Sequence, residues 1–351
     1  MKRVRILEST LRDGSYAVDF QFTAHDTAII SAALEAAGFD LIEIGHGSGL
    51  GASIAEIGIA AATDEEYVRA AAHSLKRASF GAFFIPGIGT KEHLDMARHY
   101  GMSFIRIGTN VTSSEMAREF IEYGRKLGFD VSYNAMKSYA VSPEEFQRRL
   151  KQTTEWGAET VYVVDSAGSM MPNDVREYVS RLRDVVGEAG IGFHGHNNFG
   201  LANANALAAV EAGATMIDTT MLGMGRSSGN SQTEVMLVLL QKLGHETGVD
   251  LLKAMDVGEQ LIRPRRSGGT GVSAIEVTMA AAQFHSSFLP RIEKACLQYN
   301  IDAKLLITEV SKVDIVNPSQ ALIMSIAERC AGRGEADRGV VGAEPATTIC
   351  G

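Results

Sequence analysis

The chain has 351 residues, 45% of them hydrophobic and 21% charged, which is the composition of a globular protein with material for a large core. Its net charge is −9 and no basic stripe is present, which argues against nucleic acid as a partner. No stretch reaches the roughly 20 apolar residues of a membrane span, the start lacks a signal peptide's apolar run, and the three cysteines are unpatterned. These features predict a cytoplasmic protein without a membrane partner.

A strand–helix unit repeats along most of the chain. In each copy a helix ends at a glycine and a short apolar strand follows, as in "AAGFDLIEIGHG" and "EWGAETVYVVDSAG". Continuous apolar runs suit parallel strands covered on both faces, and glycine suits a left-handed helix end. The glycines are Gly38, Gly101, Gly128, Gly157, Gly190 and Gly213, and the strands are predicted to start near Val4, Leu41, Phe80, Phe104, Val131, Val161, Ile191 and Met216.

Eight such units fit the ~250 residues of a (β/α)8 TIM barrel. An open doubly wound sheet is the alternative, and the barrel is favoured because no G-x-G-x-x-G follows the first strand. Beyond the repeat, residues 271–299, among other segments, are predicted to be helical. We therefore assign 1–265 to the barrel, 266–331 to a helical C-terminal domain and 332–351 to a disordered tail.

Polar and titratable residues gather where the predicted strands end, which is where barrels carry their chemistry. The segments are "TLRDGSY", "EIGHGSG", "DSAG", "FHGHNN" and "TTMLGMGRSSGN". His194 and His196 are two residues apart on one strand, so their side chains share a face. Asp13 follows strand 1, which only strand 8 separates from strand 7 in a closed barrel. Together the three residues predict a divalent-metal site with open positions, although the histidines could instead be ordinary polar residues of the rim.

Four motifs occur in a fixed order: "TLRDG", "VYVVDSAG", "GFHGHNN" and "GMGRSSGN". With them the chain resembles the HMG-CoA-lyase-like superfamily of metal-dependent aldolases, lyases and condensing synthases, and is most similar to its 4-hydroxy-2-oxovalerate aldolases, which are class II pyruvate aldolases. The resemblance implies a (β/α)8 barrel and a divalent metal, commonly Mn²⁺ with Mg²⁺, Co²⁺ or Zn²⁺ possible, bound by Asp13, His194 and His196. It also implies that Arg12 stabilises an enolate beside the metal.

The chain departs from this aldolase pattern at two positions. The resembling aldolases place a histidine three residues after the metal aspartate and a tyrosine before the C-terminal "SSF". This chain has Tyr16 and His285 there, so the two residue types are exchanged. Either the pair survives on opposite sides of the site, or the substrate has changed or the aldolase step has been lost.

The expected reaction cleaves or forms a 4-hydroxy-2-oxo acid, such as 4-hydroxy-2-oxovalerate, giving pyruvate and an aldehyde through a metal-stabilised enolate. His285 is the candidate base that takes the proton of the C4 hydroxyl, and Tyr16 would orient His285 or that hydroxyl. Alternatively, His285 is an ordinary histidine on the polar face of a helix, and Tyr16 is an aromatic residue of the barrel rim. Arg12 would share the enolate charge. Further substrate contacts are expected from Ser166, Asn230 and His46, each of which could instead serve the local fold.

Other functions fit the same sequence less well. An acyl-CoA-dependent condensing or cleaving enzyme, a non-catalytic paralogue and an iron(II) oxygenase are the alternatives, and thioester turnover, absence of turnover and oxygen consumption would distinguish them. By resemblance, an acylating aldehyde dehydrogenase is a possible partner, and the C-terminal helices could bind it or a second copy of the chain. The small-molecule partners would be a 2-oxo acid and an aldehyde.

Overall fold

A computed structural model of the protein describes residues 3–266 and 273–338. Its eight parallel strands close a barrel in which each strand pairs with the next along the chain and β8 pairs with β1. The predicted fold is therefore confirmed, and the open sheet is excluded. The strands are β1 (Arg5–Glu8), β2 (Leu41–Glu43), β3 (Ser79–Phe84), β4 (Phe104–Asn110), β5 (Asp130–Met136), β6 (Thr160–Asp165), β7 (Gly190–Gly195) and β8 (Met216–Thr219).

One helix follows each strand and covers the outside of the barrel, and further helices come after the last unit. Inside the barrel helices, apolar residues pack on the strands in one large core. The helices are α1 (Ala24–Ala36), α2 (Asp64–Ser74), α3 (Lys91–His99), α4 (Arg118–Lys126), α5 (Pro143–Glu155), α6 (Pro172–Arg183), α7 (Ala202–Ala212), α8 (Thr233–Lys242), α9 (Leu251–Val257), α10 (Ala274–Ala281), α11 (Leu289–Tyr299), α12 (Ala303–Ser311) and α13 (Gln320–Arg338). In the described part of the chain, none of them combines the length and apolar character of a membrane span.

The ends of these helices follow the sequence signals with one exception. Gly213 has a φ of 118° and ends α7, in the left-handed conformation that glycine adopts at low cost. Gly190, by contrast, lies inside β7, and the left-handed residue before that strand is Gly187, with a φ of 61°. The interpretation of Gly190 as a helix end was wrong because α6 already ends at Arg183.

The interior of the barrel is layered. An apolar layer fills its lower part, and its buried residues are Leu7, Leu41, Phe104, Tyr162, Val164 and Met216. Because side chains alternate along a strand, the next inward positions after Leu41, Phe104 and Met216 are Glu43, Arg106 and Asp218. A polar layer therefore lies above the apolar one, towards the carboxyl ends of the strands.

The C-terminal helices α10 to α13 form a second hydrophobic cluster of their own, whereas α9 packs on the barrel core. The helical segment predicted over 271–299 is interrupted: α10 ends at Ala281, Gln283 has a φ of 54°, and a short turn over Ser286–Phe288 precedes α11. Helix α13 continues to Arg338, and the tail predicted from 332 stays a prediction. Residues 339–351 lie outside the described part, and the predicted division at 265/266 stays a prediction.

Candidate metal centre and active-site pocket

Asp13, His194 and His196 lie together at the carboxyl end of the barrel. Each offers a ligand atom, and these atoms all lie within 4.8 Å of one another. His194 is in β7, His196 follows that strand, and Asp13 begins a short turn after β1. All three side chains are buried, and Nε2 of His194 is 3.2 Å from Oδ2 of Asp13.

The donor set fits a divalent cation. Oδ1 of Asp13 and Nδ1 of His196 are buried and have no hydrogen-bond partner among the described residues, a state that a bound ion would relieve. Burial lowers the pKa of His196 to about 3, so its ring is neutral, as a metal ligand must be. Burial alone would raise the pKa of Asp13, but Arg12 and His194 hold it well below its usual range. Asp13 is thus ionised and His196 neutral, as ligands must be. For His194 burial lowers the pKa, but Asp13 and Asp218 raise it above its usual value, so a bound ion would displace a proton from this ring.

Two further residues fix the orientation of these ligands. Nδ1 of His194 is 2.8 Å from Oδ2 of Asp218, a contact that favours a proton on Nδ1 and leaves Nε2 facing Asp13 and the centre. Asn230 donates from Nδ2 to Oδ2 of Asp13 at 2.9 Å. Sequence reasoning missed Asp218, although a carboxylate inside the apolar run of β8, next to the histidine strand, was a usable signal.

A buried ionic network connects these groups across the barrel. Arg106 donates to Glu43 (2.9 Å), to Asn134 (2.9 Å) and to Asp218. Glu43 also accepts from Nε of Arg12 at 2.8 Å, so the two arginines share one carboxylate. Asp218 and Glu43 raise the pKa of Arg106 against the effect of burial, which keeps the guanidinium charged. The network positions Arg12 beside the triad, with its NH1 group 3.4 Å from Oδ1 of Asp13.

A pocket of about 940 Å³ opens above this layer, between the barrel mouth and the C-terminal helices. Arg12 and His194 line its floor, and Tyr16 and His285 line it as well. The hydroxyl of Tyr16 shares a hydrogen bond of 2.6 Å with that of Ser48. The structure therefore brings both members of the exchanged pair to the pocket that the triad serves.

The hydrogen bonds of His285 limit its chemistry. It lies in the interruption between α10 and α11, where Nδ1 accepts the backbone N–H of Ser287 at 3.2 Å. The proton of the neutral ring is therefore on Nε2. Burial, and then the positive charges of Arg226 and Lys137, hold the pKa of His285 well below its usual range. This arrangement favours a neutral hydrogen-bond donor over the base that the sequence suggested.

The structure uses two other predicted substrate contacts differently. His46 has both ring nitrogens engaged, accepting from the N–H of Ser48 and lying 3.1 Å from the carbonyl of Gly58, and it stacks on Phe20. Ser166 accepts the N–H of Lys137 at 2.9 Å. Neither is among the pocket-lining residues, because these hydrogen bonds hold the loops around the pocket.

The remaining two polar candidates of the strand ends also have structural partners. Asp165 accepts the backbone N–H groups of Ser169 and Met170, at 2.9 and 3.0 Å, and so fixes the turn after β6. Asn230 supports Asp13 instead of lining the pocket. Its Oδ1 atom is buried without a hydrogen-bond partner in the described part of the chain, at the edge of the centre.

The fold and the site define a class: a (β/α)8 barrel with an aspartate and an H-x-H pair that can hold a metal at its mouth. The HMGL-like family model matches residues 3–261, and the chain belongs to this family. It is 40% identical to a 4-hydroxy-2-oxovalerate aldolase of Carboxydothermus hydrogenoformans, over 93% of this chain and 97% of that protein. A protein of the same name from Pelotomaculum thermopropionicum is 39% identical, over 92% and 95%.

Solved structures share the fold at lower identity. The carboxyl transferase domain of Rhizobium etli pyruvate carboxylase has a TM-score of 0.77 and 16% identity, and the match covers 95% of this chain and 61% of that one. The HMG-CoA lyase of Bacillus subtilis has a TM-score of 0.65 and 20% identity, over 76% and 94%. These two similarities support the barrel fold alone.

Proposed function

We propose that the protein is a carbon–carbon lyase, a divalent-metal-dependent aldolase that cleaves or forms a 4-hydroxy-2-oxo acid such as 4-hydroxy-2-oxovalerate. The observation that carries the proposal is the triad of Asp13, His194 and His196 with Arg12 beside it, next to a large pocket that Arg12 and His194 line. Relatives with 36–40% identity over nearly the whole chain carry the name of that aldolase. The products of cleavage would be pyruvate and an aldehyde.

Asp13, His194 and His196 would hold the cation, and we expect Mn²⁺ because the resemblance to the metal-dependent aldolases implies it. When bound, the cation supplies Lewis acidity towards the carboxylate and keto oxygens of a 2-oxo acid. Asp218 would keep His194 in the required tautomer.

The protein side chains would handle the charge and the proton. As the C3–C4 bond breaks, its electron pair moves towards the keto oxygen, and Arg12 shares the negative charge of the resulting enolate. The C4 hydroxyl would give its proton to solvent water in the open pocket as the aldehyde forms, and C3 would later take one from solvent to give pyruvate. We propose that Nε2–H of His285 donates a hydrogen bond to the C4 oxygen, and that Tyr16 orients the same group.

The C-terminal helices are the surface we propose for protein partners. Large apolar side chains are exposed there, with Leu297 87% and Val313 60% accessible. Such residues suit an oligomer interface or the docking of an acylating aldehyde dehydrogenase. Light scattering on the purified protein, with and without Leu297→Lys, tests the homo-oligomer: a monomer in the wild type would contradict it. Copurification from the native host tests the dehydrogenase.

The first experiment follows exchange of the pyruvate methyl protons in D2O by NMR, with added Mn²⁺ or Mg²⁺ and removal of the ion by a chelator before each spectrum. It needs no assumption about the aldehyde. We expect exchange that depends on the metal and is lost in Asp13→Asn. His25→Gln changes an exposed histidine away from the pocket and is the control.

Lack of exchange in protein that is shown to carry its metal would overturn the pyruvate aldolase. Thioester turnover with acyl-CoA donors would then be measured, since a condensing or cleaving enzyme of the same family has the same barrel and metal site. Exchange that persists in Asp13→Asn would remove Asp13 from the proposed ligand set.

A further inference from the structure

Three cationic side chains that belong neither to the triad nor to the ionic network line the pocket: Lys137, Arg226 and Arg291. They come from three separate parts of the chain, namely the end of β5, the loop after β8 and helix α11. None of them forms an ion pair with an acidic residue in the described ranges 3–266 and 273–338. We call these three residues the cationic cluster.

The cluster is held in place by groups that do not cancel its charge. Lys137 donates to the carbonyl of Val316, and its Nζ is 5.0 Å from the ring centre of Phe288. Arg291 donates to the carbonyl of Pro318 at 2.8 Å and lies 5.2 Å from the same ring. Backbone carbonyls and an aromatic ring orient cations without neutralising them, so the charges remain available to a ligand.

Arg226 completes the cluster from the opposite side. Its guanidinium carbon lies 4.7 Å from the ring centre of Tyr16, and its Nε is buried without a hydrogen-bond partner in the described part of the chain. An unpaired, buried N–H of a charged group is unfavourable unless a ligand accepts it. The orphaned Nε is an observation independent of the charge count.

The acidic residues that line the same pocket do not offset the cluster. Asp19 and Glu56 are exposed to solvent. Glu276 accepts the N–H of Ser273 at 2.7 Å in the cap of α10. In a chain whose net charge is −9, a wall with three unpaired cations is therefore a local reversal of sign.

The positive charges of the cluster also repel one another. Burial, and then the charge of Arg226, lowers the pKa of Lys137 to about 8. Lys137 has a left-handed backbone, with a φ of 56°, which lysine adopts rarely. A residue that has an unfavourable backbone conformation, and whose charged form is destabilised by its surroundings, is typical of a position kept for ligand binding.

The pocket is larger than the reaction proposed above requires. Its volume of about 940 Å³ lies near the top of the ~300–1,000 Å³ range of small-molecule sites. Pyruvate with acetaldehyde would fill only the part next to the triad. Space and positive charge without an ion-pair partner thus occur together in one pocket.

We propose that the aldehyde partner of this enzyme carries an anionic group, a carboxylate or a phosphate, which the cationic cluster binds. The inference rests on the proposed aldolase function and specifies its substrate class: a 4-hydroxy-2-oxo acid with a second anion at the end remote from the 2-oxo acid. Arginine and lysine recognise both anions, and arginine can bind either with two parallel hydrogen bonds.

The test is aldol addition to pyruvate in the presence of the metal, with two matched pairs of aldehydes. Succinic semialdehyde is compared with butanal, and glyceraldehyde 3-phosphate with glyceraldehyde. We expect kcat/KM for the anionic member of at least one pair to exceed that of its neutral member tenfold or more. The pair that shows the preference identifies carboxylate or phosphate, and ratios near one in both pairs would overturn the proposal.

Arg291→Gln removes one charge of the cluster and should lower the anionic-to-neutral ratio of kcat/KM at least fivefold. Lys294→Gln removes an exposed charge from the same helix, α11, and is the matched control that should keep the wild-type ratio. A ratio in Arg291→Gln equal to that of the control would overturn the role of the cluster.

The failure of this proposal can be told apart from failure of the aldolase. If pyruvate exchanges its methyl protons but neither aldehyde pair shows a preference, the aldolase stands and the anionic substrate does not. If no exchange occurs, anion binding is measured directly by calorimetry with succinate and with inorganic phosphate. Equal binding, or none, in wild type and Arg291→Gln would then overturn the cluster as an anion site.

Discussion

The pocket has two parts that are built in different ways. In the inner site, side chains bind other side chains across the barrel. In the outer wall, side chains bind backbone carbonyls and rings. The inner site consists of Arg12, Asp13, Glu43, Arg106, His194, His196 and Asp218; the outer wall consists of Tyr16, Lys137, Arg226, His285 and Arg291.

This difference separates what is fixed from what can change. Each group of the inner site has its geometry set by the register of neighbouring strands, for example β1 and β8, and most of its charges are paired. The outer wall comes from loops and from the C-terminal helices, where a residue can change without breaking a carboxylate network. We infer that the inner site carries the chemistry common to the family and that the outer wall sets the substrate, which agrees with the exchange of residue types at Tyr16 and His285.

The largest expected effect separates the two possible roles of His285. If Nε2–H is a donor to the C4 oxygen, His285→Phe should lower kcat for cleavage by about 10²–10³, as removal of an oxyanion donor does. His285→Gln keeps an N–H group, so its kcat should fall by less than about a tenth of the factor by which kcat falls in His285→Phe. Steady-state cleavage kinetics on both variants measure the difference.

The control is His25→Gln, at an exposed position. Equal losses in His285→Phe and His285→Gln would favour a general base instead, because neither side chain can accept and pass on a proton. That outcome would place the proton-transfer step on His285, in the outer wall.

The second prediction concerns the stability that the buried ionic network gives to the inner site. Arg106→Met leaves the buried carboxylates of Glu43 and Asp218 without one of their cations, which should lower the free energy of unfolding by roughly 3–5 kcal/mol. Arg106→Lys keeps the positive charge but not the planar guanidinium that binds both carboxylates, so it should lower the free energy of unfolding less than Arg106→Met does. Urea denaturation of the metal-free proteins measures both.

Arg118→Met is the matched control, because its ion pair with Glu122 is exposed on α4 and is screened by solvent, so its loss should change stability little. A loss in Arg106→Met no larger than that of the control would mean that the network does not stabilise the barrel. The inner site would then be no more rigid than the outer wall.

The residues of this network also show where sequence reasoning stops. The strands were predictable because each is an apolar run of the right length after a helix end. Glu43, Arg106 and Asp218 lie inside those runs, and a single polar residue in a buried strand gives no local sign of its partner. They meet only when β2, β4 and β8 are brought together by closure of the barrel, and the sequence does not state that register.

The metal triad was predictable for the opposite reason. His194 and His196 share a face within one strand, and barrel closure needed only to bring Asp13 from the strand next but one. His285 was placed in a helix that the structure interrupts. The left-handed Gln283 carries no glycine or proline signal, and packing within the C-terminal cluster decides the break.

The third prediction concerns the hydrogen bond by which Asp218 orients His194 in the inner site. Asp218→Asn keeps the shape of the side chain but weakens its hold on Nδ1–H of His194, so Mn²⁺ affinity should fall about 10–100-fold. Titration followed by the electron paramagnetic resonance of free Mn²⁺ measures the dissociation constant. The pyruvate exchange rate at saturating metal should change less than the affinity.

Asp165→Asn is the matched control: it removes a buried carboxylate near the barrel mouth that accepts backbone N–H groups and none of the triad. Its metal affinity should remain that of the wild type. If both variants lose affinity equally, the effect comes from the loss of charge in the region and not from the contact with His194.

The smallest expected effect concerns Glu8, a buried carboxylate at the end of β1. Unlike the acids of the inner site, it has no cation beside it within residues 3–266 and 273–338. It accepts from the hydroxyl and N–H of Thr10 and from the N–H of Met221. Burial raises its pKa from 4.5 to about 7. Because the folded state retains this proton where the unfolded chain has lost it, the contribution of Glu8 is fully present below pH 4.5 and is lost as the pH rises through about 7.

Glu8→Gln should therefore raise the melting temperature at pH 8 by roughly 1–4 °C and leave it unchanged or slightly lower at pH 5, where the wild-type group is protonated. Glu119→Gln, on the exposed surface of α4, is the control. Thermal unfolding of the three proteins at both pH values measures the effect. If Glu8→Gln loses the same stability at pH 5 and pH 8, the carboxylate is ionised throughout this range, and burial without a neighbouring cation does not raise its pKa.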